Sequence, residues 1–154
     1  MLKTNVIRKF DQKKISYKLY DYSSSNLVSG KDVANYLNIN ENQMFKTLVT
    51  VSNNKKNYVF LVPVSKELDL KKAAKVVNEK KIEMILSKNL LPLTGYIHGG
   101  CSPVGMKKNF TTIIDESSLN FENIIFNAGK IGYQIEVSLN DLKKIINFEY
   151  KDIC

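Results

Sequence analysis

The chain has 154 residues, which fits one domain able to bury roughly two thirds of the surface its unfolded form would expose, so no disulfide or metal is needed to hold it together. Two cysteines, Cys101 and Cys154, and a single histidine, His98, give no metal-ligand spacing and fit a reducing compartment. The net charge of +8 comes almost entirely from Lys, with Arg8 the one arginine, and its six Lys-Lys pairs are dispersed along the chain; such a field attracts a polyanion through phosphate contacts and equally suits a solvated lysine-rich surface.

In chain order, the opening "MLKTNVIRKFDQKK" mixes charges with isolated apolar residues and lacks the continuous apolar run of a signal peptide or membrane span, so a cytoplasmic protein with no membrane association is expected. Val6 and Phe10 predict a first helix. "ISYKLYDY" alternates as a half-buried strand, and "SSSNLVSG" reads as a loop. "KDVANYLNI" places Val33, Tyr36 and Leu37 at helical spacing, and "MFKTLVTVS" and "NYVFLVPVS" flank "NNKKN" as the strands of a hairpin. "LDLKKAAKVVN" puts Leu70, Ala73, Ala74 and Val77 on one helical face. Further on, "FTTIIDE" and "NIIFN" predict strands, "AGKIG" a turn, "YQIEVS" a returning strand, and "SLNDLKKIIN" a terminal helix capped by Ser138. Six or so strands with segregated helices predict an α+β domain around a curved or partly closed, mixed and largely antiparallel sheet with flanking helices.

Two features of that pattern bear on chemistry. In "MFKTLVTV" the apolar Phe45, Leu48, Val49 and Val51 supply both faces of the strand, yet Lys46 stands among them. A Lys there either snorkels from a strand end or points into a cavity that holds an anion or a polarised carbonyl. Residues 94–105, "TGYIHGGCSPVG", hold four of the seven glycines, one of the three prolines and the only histidine. Glycine-dense backbone of this kind either folds against a ligand, offering amides as an oxyanion-type donor set, or makes a tight turn. The spacing is neither a dinucleotide fingerprint nor a P-loop.

Taken together, "FKTLV", "VPVS" with "LDLKKAAK", "KKIEM", "TGYIHGGCSPVGMKK", "TIIDES" and "AGKIGYQIEV" resemble, in order and spacing and over nearly the whole chain, the YbaK/EbsC family of bacterial trans-editing domains, relatives of the editing domain inserted in prolyl-tRNA synthetase. The resemblance implies that residues 1–154 form one editing domain of that fold, acting as a deacylase that clears Cys mischarged on tRNA(Pro). It implies no cofactor and no metal, recognition of the tRNA(Pro) 3′ end, a transient complex with prolyl-tRNA synthetase, and an oligomeric state left open. Lys46 looks like the family's essential pocket lysine and Thr47 like its motif neighbour. Gly99 looks like the glycine whose backbone lies against the aminoacyl end, followed by Gly100, Ser102 and Pro103 of the same loop. Tyr22 looks like the family's aromatic pocket residue, and Cys101, Asn127 and Gln134 fall at pocket-wall positions.

The sequence also departs from the family pattern. Cys101 is usually aliphatic, His98 usually apolar, Asn127 usually a small Ser, and Gln134 alternates with Asp among relatives. These residues bear on whether Cys, Ala or another small side chain fits. The residues offer no Ser-His-Asp order for hydrolysis, and the resemblance implies substrate-assisted chemistry instead, in which the thiol of the bound Cys attacks its own ester and leaves as a thiolactone. Two other readings stand beside it: a thiol site built from Cys101 and His98, and a non-catalytic tRNA- or protein-binding module.

Overall fold

A computed structural model describes residues 2–154. The first helix, α1 (Asn5–Gln12), is capped by Thr4, whose hydroxyl oxygen accepts from Ile7 N at 3.3 Å, and it buries Val6, Ile7 and Phe10. Strand β1 (Lys18–Asp21) is shorter than its alternating pattern predicts, and helix α2 (Gly30–Tyr36) follows. The hairpin of β2 (Phe45–Ser52) and β3 (Asn57–Pro63) forms as expected, its turn held by Ser52 Oγ accepting from Asn54 N and Lys56 N. Helix α3 (Leu70–Val76) starts at Asp69, whose carboxylate accepts from Lys71 N and Lys72 N. Strand β4 (Ile82–Met84) and helix α4 (Ser87–Thr94) come next, then β5 (Thr111–Asp115), β6 (Asn123–Asn127), β7 (Tyr133–Ser138), α5 (Leu139–Leu142) and β8 (Glu149–Lys151).

The strands form a three-stranded sheet, β1-β7-β6, and a five-stranded sheet, β4-β2-β3-β5-β8. Pairing is antiparallel except for β3 with β5 and β5 with β8. The mixed, largely antiparallel α+β class is therefore as expected, and the sheet is split in two. A parallel bridge, Met44 with Ile125, joins the halves, with Ile125 N donating to Gln43 O at 3.1 Å. The main core lies between the sheets, where Val49, Val59, Leu61 and Ile114 meet Phe126, Ile135 and the apolar face of α1. Tyr58, Phe60, Val62 and Ile113 point the other way, under α3. This two-sided burial explains why β3 reads as a continuous apolar run.

Three elements, β4, α4 and β8, were not expected, and the terminal helix expected over 138–147 stops at Leu142. Past Leu142, Ile145, Ile146, Phe148 and Tyr150 pack on the main core, and the chain turns to lay β8 beside β5. Packing there outweighs helix propensity.

Asp115, at the end of β5, fastens that closing strand. Asp115 is 3% exposed, and its carboxylate accepts from Ser117 N at 3.2 Å and Ile153 N at 3.1 Å. Burial opposes its ionisation, but the hydrogen bonds from Ser117 and Ile153 outweigh it and hold the carboxyl below the usual value. Asp115→Asn keeps one acceptor and turns an amide toward the other donor. It should cost about 2–3 kcal/mol at neutral pH, or roughly 4–12 °C in melting temperature. Because the folded-state pKa is depressed, this stability is present above the ordinary carboxylate range and is lost as pH falls through the folded value. Melting curves of both proteins should therefore converge below about pH 4.

Candidate active site

Strand β2 is flanked on both sides only in part. It pairs with β3 along its length but with β4 only over Thr50–Ser52, and Ile85 N donates to Val49 O at 3.2 Å just beyond. Between Val49 and the Met44–Ile125 bridge, no strand among the described residues lies beside the outer edge of β2. A cavity of about 570 Å³ opens there. Its walls are β2 from Phe45 to Val49, Met84 at the end of β4 and Ile85 after it, Leu90 of α4, Val28 at the approach to α2, the glycine-rich loop, and the ends of β6 and β7. The size and mainly apolar lining suit a small side chain together with part of a larger ligand.

The structure brings Lys46, Thr47, Gly99, Cys101, Asn127 and Gln134 together in this lining. Among the described residues no carboxylate lines the cavity, and Lys46 supplies its one ammonium. The Lys46 side chain is 29% exposed, and Nζ donates to Glu67 Oε1 at 3.1 Å, a carboxylate that is 88% exposed. Lys46 therefore reaches the rim and is held by a partner that water can readily replace. Thr47 Oγ1 and Gln134 Oε1 are buried without a hydrogen-bond partner among the described residues, and both belong to the lining. Unspent polar capacity of this sort concentrates at functional sites.

The loop is shaped by its glycines. Gly95 ends α4 in the left-handed region, with its N donating to Leu91 O at 2.9 Å. Gly99 has φ +85°, and a β-carbon there would come within 2.8 Å of Val28 Cγ1. Asn127 fixes this point: its Nδ2 donates to Gly99 O at 2.9 Å, while its Oδ1 accepts from Gly129 N at 2.7 Å and Lys130 N at 3.0 Å. The main-chain amides of Gly99 and Cys101, two residues of the lining, donate to no protein acceptor among the described residues.

Four residues expected at the site do not line the cavity. Tyr22 is 2% exposed and lies behind Gln134, whose Nε2 donates to its hydroxyl at 3.2 Å. Gly100 abuts the β6–β7 turn, where a β-carbon would meet Ile131 N at 3.1 Å. Ser102 is fully buried and accepts from Val104 N, and Pro103 faces a separate cavity. The chain enters the core after Cys101, so this half of the loop supports the wall from behind. Conversely, the sequence reading missed Val28, Met84, Ile85 and Leu90. The alternation in "KKIEMI" was the available signal for Met84, but α4, which carries Leu90, was hidden by its internal Pro92.

Burial pushes the Cys101 thiol up to about 12, opposite to the shift a nucleophile needs, and His98 is exposed. This shift argues against a Cys101–His98 thiol site, although both residues line the cavity. Among the described residues there is also no group of three His, Cys, Asp or Glu side chains able to hold a metal ion.

Two outcomes are expected from this geometry. Gly99→Val, which combines a left-handed backbone with a contact on Val28, should abolish turnover and lower ligand binding at least about tenfold while the melting temperature falls by only a few degrees; a folded and fully active variant would remove the loop from the site. At pH 8 Cys101 should react with iodoacetamide more than about a hundredfold slower than a free thiol, read by mass spectrometry of the labelled peptide.

Comparison with known proteins shows the family and the fold. Residues 25–145 match the family model of the aminoacyl-tRNA editing domain. The chain is 43% identical over 152 residues to EbsC of Enterococcus faecalis, covering 98% of this chain and 93% of that one; its name describes a proposed Cys-tRNA(Pro)/Cys-tRNA(Cys) deacylase. The fold is shared with a solved structure described as a proposed trans-editing enzyme for prolyl tRNA synthetase, with a TM-score of 0.85 at 22% identity over 99% of this chain and 98% of that one. It is shared also with hypothetical protein APE2540, with a TM-score of 0.84 at 19% identity over 97% and 99%. The chain belongs to the aminoacyl-tRNA editing domain family.

Proposed function

We propose that the protein is a trans-editing deacylase that clears cysteine from Cys-tRNA(Pro). The observation that carries this reading is a cavity with an ammonium at its rim and unpartnered Gly99 and Cys101 amides in its lining, but with no activated nucleophile among the described lining residues: burial raises the Cys101 thiol, no carboxylate is present, and the hydroxyls of Ser29, Thr47 and Ser87 form no hydrogen bond with the one imidazole, His98. Family membership and the name carried by EbsC support the same substrate.

The missing nucleophile comes from the substrate. The cysteinyl thiol loses its proton and its sulfur attacks the ester carbonyl carbon, so a C–S bond forms and the carbonyl oxygen gains the charge. On collapse, the bond from that carbon to the ribose oxygen breaks. The ribose oxygen takes up a proton, leaving free tRNA and a cyclic thiolactone that water later opens. The protein's part is to hold thiol and carbonyl in attack geometry and to stabilise the oxyanion. The Gly99 and Cys101 amides supply donors for that charge. Lys46 holds the phosphate or ribose end of the substrate after exchanging Glu67 for it. The unpaired edge of β2 at Thr47 offers main-chain groups to the terminal nucleoside. Such a role places the protein in the cytoplasm, acting in a transient complex with prolyl-tRNA synthetase.

A deacylation panel tests this. With Cys-, Ala-, Ser- and Pro-charged tRNA(Pro), Cys-tRNA(Pro) should turn over fastest and Ala-tRNA(Pro), which has no thiol, should be left intact. Equal release of Ala would make water the nucleophile and overturn the mechanism. Lys46→Ala should slow cysteine release by about 10²–10³, since the transition state is deprived of one preorganised charged partner. Lys46→Arg should not restore it, because a planar guanidinium does not replace a compact ammonium. Both variants should melt within about 1 kcal/mol of the parent, as the Glu67 partner is solvent-exposed. Normal turnover in folded Lys46 variants would sink the role given to this residue.

A further inference from the structure

A second cavity, about 660 Å³ in volume, lies on the far side of the glycine-rich loop. Four lysines, Lys9, Lys108, Lys143 and Lys144, line it against one acidic side chain, Glu149. Lys144 is paired with Asp141 at 2.8 Å, but Lys9, Lys108 and Lys143 have no carboxylate within 4.0 Å among the described residues. Lys143 is steadied instead over the Tyr150 ring, 5.6 Å from its centroid. These lysines come from α1, from the segment before β5 and from the end of α5, three separate parts of the chain that the fold gathers around one hollow. Lysines that converge on a concave surface without counter-charges concentrate a positive field, the feature that draws in a polyanion.

The two cavities share a wall. Gly99 and Cys101 line the first, Pro103 and Gly105 line the second, and Ser102 and Val104 between them are fully buried. From Cys101 to Pro103 the chain spans at most about 7 Å. From the charge balance and this shared wall, the geometry points to the second cavity as the binding groove for the phosphate backbone of the substrate's own nucleic acid, holding the tRNA acceptor arm while its aminoacylated end occupies the first cavity. This inference rests on the proposed function for the identity of the RNA. It assigns affinity to a surface that takes no part in the chemistry. Backbone contacts of this kind position a nucleic acid without reading its sequence.

The test is binding of uncharged tRNA(Pro) across a salt series, comparing the parent with the combined Lys9→Ala, Lys108→Ala and Lys143→Ala variant. All three lysines are exposed, so the variant should melt with the parent. Removing one lysine–phosphate pair should reduce the log–log salt slope by about 0.7–0.9, and removing three should reduce it by about 2–3. Between about 50 and 200 mM salt the parent's affinity should then fall about 20- to 40-fold more than the variant's. Removing the same charge elsewhere, with Lys71→Ala, Lys75→Ala and Lys80→Ala on and after α3, should leave the slope unchanged. Cysteine release from a cysteinylated CCA trinucleotide should also be unaffected by the groove variant. An unchanged slope in the groove variant, as expected if the hollow serves an acidic protein surface, overturns the inference. So does equal flattening by the α3 variant. Because the readout is binding of uncharged tRNA, a parent protein that binds with the steep slope but releases no cysteine would defeat the proposed function and leave the groove standing.

Discussion

The site depends on a strand whose second edge is left unpaired over a few residues. Backbone N–H and C=O groups demand partners, and an open strand edge is ordinarily covered, bent away or filled by another strand. Here β4 covers β2 from Thr50 onward and the Met44–Ile125 bridge closes the other end. Only the stretch around Thr47 is left open. The cavity is lined from β2 of the five-stranded sheet and from the ends of β6 and β7 of the three-stranded sheet. Lys46 occurs where it does because this is the place along β2 where a charged side chain can lie beside the core and still reach water.

The opposite wall shows how a loop gains the rigidity a site requires. Gly99 takes a conformation that a side chain would strain, and by itself this would leave a mobile hinge. Asn127 removes that freedom by binding the Gly99 carbonyl with one end of its carboxamide and two amides of the β6–β7 turn with the other. A shorter Ser at this position could not span both. Asn127 is therefore a positioning residue, and the left-handed glycine, the turn and the end of β6 behave as one unit.

How much of this was legible in the sequence follows from how local each signal is. The β2–β3 hairpin, α3, β6 and β7 were readable because alternation or helical spacing runs over several residues with turn residues at the ends. β4 and β8 have three residues each and exist through their partners, Thr50–Ser52 and Ile113–Asp115; the alternation around β4 is too short to predict a strand by itself, and no local pattern reports β8. Pro92 disguised α4. At the site, Lys46 and Gly99 stood out because each contradicts its surroundings, a charge in an apolar strand and a cluster of glycines. Gly100, Ser102 and Pro103 belong to the Gly99 motif and Tyr22 ends a separate strand pattern, yet none of the four lines the first cavity, and distance from a cavity is a tertiary property. The apolar lining from Val28, Ile85 and Leu90 was hidden for the complementary reason: exposed or half-buried apolar residues in short elements look like ordinary surface until the fold curves them around a space.

Burial of Cys101 has a further meaning in redox chemistry. Under the proposed function, a cysteinyl group in the pocket brings a second sulfur close to the wall. A wall thiol of ordinary acidity would be partly thiolate at cellular pH, open to exchange with any oxidised thiol that entered and to capture as a mixed disulfide. With its ionisation pushed up to about 12, Cys101 has almost no thiolate to offer. The wall keeps sulfur's size and polarizability, which suit packing against another sulfur, while its raised ionisation slows thiolate chemistry.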